Sequence, residues 1–156
     1  MSPDTSSPGH SLRKLLFRLE EGAWHGSATE SLWAEPVAGG RYRLRNSPFY
    51  AFGVSAEDIV FAEETEERLF FTEVSLRGGH STYRIMKSKG LRPEDFERYW
   101  EPLRQAGCSY EEEPGRLLAV DVPPRAGLQL VYSLLEKGEQ DQVWHFEEGH
   151  KGYLSP

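Results

Sequence analysis

Arg41, Arg43 and Arg45 recur at every second position before Asn46, and a second cationic run, Arg77, Arg84, Lys87, Lys89 and Arg92, occupies residues 74–93 without a single carboxylate. Alternate residues of a strand project to one side. The three guanidinium groups of the first run therefore share a face, where they repel one another unless an anion or carboxylates intervene. The stretch Gly78-Gly79-His80-Ser81-Thr82-Tyr83-Arg84 adds His80, Thr82 and Arg84 on one face of a second strand, with Ser81, Tyr83 and Ile85 on the other. Arg43, Arg45, Asn46, His80, Thr82 and Arg84 are the candidate ligand-binding residues. Guanidinium forks match carboxylate or phosphate, Asn46 would orient the ligand, and His80 would serve as acid or base. The competing reading pairs these arginines with the many glutamates and uses them to hold two parts of the molecule together.

No catalytic set is complete in the sequence. Gly79-His80-Ser81-Thr82-Tyr83 lacks the second glycine of a nucleophile elbow, and adjacent His80 and Ser81 diverge across a strand. His145, Glu147 and His150 do not have a metal-binding spacing, so neither metal nor cofactor is expected. Cys108 follows Gly107 at a helix C-terminus, which raises a thiol's pKa, and reads as a small buried filler. The runs Glu63-Glu64-Thr65-Glu66-Glu67 and Glu111-Glu112-Glu113 read as solvated hairpin tips. Alternatively, they are acidic projections suited to a basic groove on another protein.

Composition narrows the partners. With 25 acidic against 18 basic residues the net charge is -7, which opposes binding to nucleic acid or to an anionic membrane. A basic protein partner or a small anionic ligand fits better. One cysteine among 156 residues allows no internal disulfide, as in a cytoplasmic protein. No apolar run approaches a membrane helix, and residues 1–11 read as a disordered tail rather than a signal peptide.

The elements that must position these groups are of two kinds. Residues 12–77 show short apolar runs broken by Gly, Pro or charge, which predicts strands at 13–19, 31–36, 41–46, 58–63 and 68–76 in a small β-barrel-like half. Gly39-Gly40 is the expected hairpin turn. Residues 78–150 read as strand, helix, strand, strand, helix, strand, a ferredoxin-like βαββαβ half, with a tail over 151–156. Its first helix starts at Pro93 with Phe96, Tyr99, Trp100 and Leu103 buried, and Pro102 is expected to kink or interrupt it. Its second helix carries Leu128, Val131, Tyr132 and Leu135 and is expected to be capped by Gly138, with the last strand expected over Gln142–Glu147. The fold class is α+β.

Several blocks in order, Leu32-Trp33-Ala34-Glu35, Tyr42-Arg43-Leu44-Arg45-Asn46-Ser47-Pro48-Phe49, Gly53-Val54-Ser55, Asp58-Ile59-Val60, Gly79-His80-Ser81-Thr82-Tyr83-Arg84, Val120-Asp121-Val122-Pro123-Pro124 and Trp144-His145-Phe146-Glu147-Glu148-Gly149, resemble the bacterial domain-of-unknown-function family DUF4265. The resemblance spans about Leu15 to His150 and brings no agreed activity. Two functions are expected from the residues. One is a non-catalytic binding protein, of the inhibitor or immunity type, that covers a basic surface of another bacterial protein. The other is a binder of, or an enzyme acting on, a small anionic metabolite in a cleft between the halves.

Overall fold

The computed structural model describes residues 11–23 and 25–152. The expected tails fall outside that range apart from Ser11, Lys151 and Gly152. Within it lie nine strands and two helices, forming two sheets of a mixed α+β protein.

The first sheet contains β1 (Arg13–Arg18), β2 (Thr29–Val37), β3 (Arg41–Leu44), β4 (Ile59–Thr65) and β5 (Arg68–Leu76), paired in that order. It closes on itself where β1 runs parallel to β5, with Leu15 opposite Leu69 and Leu16 opposite Phe70. Strand alternation sends Leu15, Phe17, Leu32, Ala34, Leu44, Val60 and Leu69 into one apolar cluster. The β2–β3 turn runs through Gly39 and Gly40, at φ 84° and 71°, as Gly-Gly predicts.

The second sheet is antiparallel with strand order β7-β8-β6-β9, built from β6 (Ser81–Lys87), β7 (Ser109–Glu112), β8 (Leu117–Val122) and β9 (Trp144–His150). Helix α1 (Pro93–Ala106) and helix α2 (Leu128–Gln140) cover one of its faces. Tyr83 and Ile85 of β6 meet Phe96, Trp100, Leu103, Val131 and Leu135 there. The opposite face, carrying Thr82 and Arg84, turns toward the first sheet.

Three sequence expectations are corrected. Pro102 does not interrupt α1, which continues past it to Ala106. The ring is on the exposed side, where the carbonyl it leaves unbonded can take water. Gly138 does not cap α2; the helix runs to Gln140 and Gly138 is buried. A Cβ at Gly138 would overlap the indole of fully buried Trp144, whose Nε1 donates to the Leu135 carbonyl at 2.9 Å. The glycine is there for close approach. Finally, His150 is the last residue of β9 and pairs with Thr82, so the strand outlasts its expected end at Glu147.

Candidate functional site

Between β3 and β4 the chain leaves the first sheet and passes along the face of the second that the helices do not cover. Pro48 lacks a donor for a ladder, and β3 has ended at Leu44. Something other than strand pairing must therefore satisfy the backbone that follows. Two charged side chains do this from opposite sides. The Glu30 carboxylate, at the start of β2, accepts the backbone N–H of Phe49, Tyr50 and Ala51 at 2.5, 3.0 and 2.9 Å. The Arg84 guanidinium, from β6, donates to the carbonyls of Phe49 and Ala51 at 2.8 and 2.6 Å.

Both charges are nearly sealed from water, Glu30 at 9% exposure and Arg84 at 2%. Burial pushes the Arg84 pKa down, opposed by the charges of Glu147 and Glu30. Glu147 approaches Arg84 Nε at 3.9 Å, and Phe52 lies over the guanidinium, 4.7 Å from ring centroid to Cζ. Arg84 Nη1 is buried without a hydrogen-bond partner and packs against Gly149, where a Cβ would overlap it. Gly149 also accepts the N–H of Gly53 at 3.0 Å through its carbonyl.

A second polar cluster follows within a few residues. Buried Asp58 accepts the N–H of Ser55 at 3.0 Å and of Gly78 at 2.8 Å, and pairs with Arg77 at 3.1 Å. Ser55 Oγ contacts Thr82 Oγ1 at 2.6 Å and His150 Nδ1 at 2.8 Å. Thr82 Oγ1 donates to the Val54 carbonyl at 3.3 Å. Counting protons from that end, Ser55 donates to Thr82 and His150 donates to Ser55 through Nδ1–H. Gly78 is required by closeness, since a Cβ there would meet the Glu57 carbonyl at 2.5 Å.

The six sequence-selected residues divide into two groups. Thr82 and Arg84 share one face of β6, but it is closed, and His80 lies just before that strand. Thr82 is fully buried, Arg84 is spent on the 49–51 backbone, and His80 Nδ1 meets Asp121 Oδ1 at 2.8 Å. Arg43 and Arg45 lie on the first sheet's outer side, near carboxylates: Arg43 reaches Glu35 at 3.5 Å and Glu57 at 3.9 Å, and Arg45 reaches Glu57 at 3.1 Å. Asn46 accepts the N–H of Trp33 at 2.8 Å. Among the described residues no hydrogen bond or ion pair joins the two groups. Arg84 is thus an internal clamp on backbone carbonyls, while Arg43 and Arg45 pair with carboxylates of their own half and not across the two halves.

The acidic hairpin of β7 and β8 is also tied inward. Glu111 meets Asn46 at 3.5 Å, Glu112 pairs with Lys87 at 2.8 Å, and Glu113 accepts the Tyr50 hydroxyl at 2.5 Å. Burial, then that bond to Glu113, pushes the Tyr50 pKa up to about 12. Buried Cys108 is likewise raised to about 12, by burial and then by the charge of Asp121, so its thiol stays protonated at neutral pH. His145 faces Glu139 at 3.4 Å while His150 points to Ser55, and no metal-holding group of His, Cys, Asp and Glu occurs among the described residues.

Sequence reasoning missed Glu30, Ser55, Asp58, Asp121 and His150. Glu30 carries no local signal, because it acts on a segment 19–21 residues away. Ser55 and Asp58 lay within the family-like blocks, which was the only available pointer.

The His150 pKa is lowered, first by burial and then by Arg77, against the opposing charges of Asp58 and Glu148. The unfolded chain, with an ordinary imidazole pKa near ~6.5, then takes up a proton before the folded protein does. Stability rises with pH through this window and is lost as pH falls below about 6.5. The urea midpoint of the wild type is expected to drop between pH 7.5 and 5 more steeply than that of His150→Gln. Parallel profiles would rule out His150 as the source.

The fold and seam define a class: an α+β protein in which a closed five-stranded sheet is locked onto a two-helix, four-stranded sheet by buried side-chain-to-backbone clamps. The model of the domain of unknown function DUF4265 matches residues 30–146, more than half of the chain, and the protein belongs to that family. A crystal structure described as that of a hypothetical protein from Neisseria gonorrhoeae is similar, with a TM-score of 0.79 at 18% identity, covering 93% of this chain and 99% of that one. At that identity the likeness speaks for the fold alone. No curated protein matches the chain. No helix among the described residues is long and apolar enough to cross a membrane.

Proposed function

We propose that this protein is a non-catalytic binding protein of the inhibitor or immunity type, which covers a basic surface of another bacterial protein. The observation that carries this is the β4–β5 hairpin tip. Glu63, Glu64, Glu66 and Glu67 are all exposed there, and among the described residues only Glu64 has an ion pair, to Arg13 at 3.6 Å. Glu66 and Glu67 adopt φ of 52° and 65°, a left-handed pair that Asn-Gly fills with little strain. Each glutamate there costs on the order of 1 kcal/mol, so the carboxylates are kept against local preference. Charge concentrated on a projecting turn speeds capture of an oppositely charged partner.

The reading as a cleft for an anionic metabolite has less support, because Thr82 and Arg84 are closed off by internal partners. In the finer description of the fold, the strand order β7-β8-β6-β9 with two helices on one face supports a ferredoxin-like half, and the ring of five strands supports a barrel-like one.

Tagged protein recovered from its native cells is expected to bring down one basic protein in stoichiometric amount. The double variant Glu66→Lys, Glu67→Lys should lose it while keeping the wild-type circular dichroism spectrum. Recovery without a partner, or equal capture by the variant, would sink the proposal.

A further inference from the structure

Phe52 is 67% exposed, yet it stands on a tightly held stretch of irregular backbone. The amides of residues 49–51 bind Glu30, and the carbonyls of Phe49 and Ala51 bind Arg84. Gly53 is held on both sides of its peptide group, its N–H by the Gly149 carbonyl at 3.0 Å and its carbonyl by Arg77 at 2.7 Å. Two nearly water-free charges thus fix a short segment whose large outward side chain is Phe52. One face of the ring covers the Arg84 guanidinium, and the rest of it remains in water.

A groove of about 530 Å³ runs beside the ring. Phe17, Leu19, Tyr50 and Phe71 form part of its walls, and the exposed carboxylates Glu20 and Glu147 also line it. Arg18 lines the groove too, but its guanidinium is stacked over Phe70 at 3.8 Å from the ring centroid. A rigid aromatic next to an apolar groove with a polar rim has the form of a binding hot spot. Because the backbone beneath it is already ordered, little conformational freedom remains to be lost on association.

We propose that Phe52 is the apolar anchor with which this protein docks onto its basic partner, the ring entering a pocket there while partner Lys or Arg side chains meet Glu20 and Glu147. This rests on the binding-protein reading above and deepens it. The partner's contact segment is accordingly basic and apolar at once, and not merely basic.

A fluorescein-labelled peptide of alternating Lys and Leu residues, with a Lys and Ser peptide of equal charge as control, tests the anchor by fluorescence anisotropy. The Lys–Leu peptide is expected to bind the wild type more tightly than the control does. Phe52→Ala should weaken it about tenfold, while Phe52→Leu, which keeps an apolar side chain, should restore most of the affinity. Thermal melts of both variants close to the wild type would exclude unfolding as the cause. Lys–Leu binding that is unchanged by Phe52→Ala but lost in Glu66→Lys, Glu67→Lys would overturn the anchor and leave the acidic-tip reading standing. Equal binding of both peptides would also remove the anchor, and no binding of either peptide at millimolar concentration would remove both readings. Concentration-dependent dimerisation abolished by Phe52→Ala in sedimentation would assign the ring to a second copy of this chain and overturn the basic-partner claim.

Discussion

Arg84→Leu will destabilise the fold by about 3 kcal/mol, read as a fall in the urea midpoint at an unchanged slope. The leucine keeps much of the volume but leaves the carbonyls of Phe49 and Ala51, now bonded at 2.8 and 2.6 Å, without donors. Each buried group left unsatisfied costs roughly 1–3 kcal/mol. Removing Arg84 also takes away a buried cation and an unpartnered Nη1, whose desolvation is unfavourable, so the net figure lies nearer the lower end of the sum. Arg84→Lys keeps the charge but has no planar fork to span two carbonyls, and it should lose about half as much. A loss below about 1 kcal/mol for Arg84→Leu would mean that water replaces the guanidinium, and that the seam is wetter than its burial implies.

Glu30→Ala is the second large effect, again about 3 kcal/mol, because three backbone amides lose one acceptor together. Glu30→Gln distinguishes geometry from charge. Its remaining carbonyl oxygen can still serve Tyr50 and Ala51, which both bond Oε1, while Phe49, bonded to Oε2, faces an amide NH₂. The glutamine variant should therefore lose about half as much as alanine, with faster hydrogen exchange centred on the Phe49 amide. Arg84 and Glu30 act on the same three residues, so the double variant Arg84→Leu, Glu30→Ala should cost less than the sum by about 1–2 kcal/mol. Additive losses would show that the two clamps hold separate units. Either single variant should also loosen the platform under Phe52, linking the stability of the seam to the proposed anchor.

Much of the fold was legible because it is written locally. Gly39-Gly40, the Pro93 start of α1 and the apolar runs that become β1 and β5 are near-neighbour signals, and the structure agrees with each of them. Pro102 and Gly138 were misread for one shared reason. Local rules treat Pro as a helix breaker and Gly as a cap, whereas solvent exposure of one and the approach of Trp144 to the other decide their roles. The candidate site was legible only as a set of faces. Period-two alternation put Thr82 and Arg84 on one side of β6, but it carries no information on what lies opposite them.

The sequence by itself determined the two sheets, the α+β class, the apolar stripes and the acidic balance, since these follow from side-chain spacing and composition within short windows. Tertiary structure alone decided that Arg84 would be a buried clamp rather than a ligand-facing cation. It also joined Ser55 to His150 across 95 positions and left Phe52 outside. The physical reason is that a charge's role depends on which carbonyls and carboxylates surround it, and those neighbours are brought in by the packing of one sheet on another, from segments far apart along the chain.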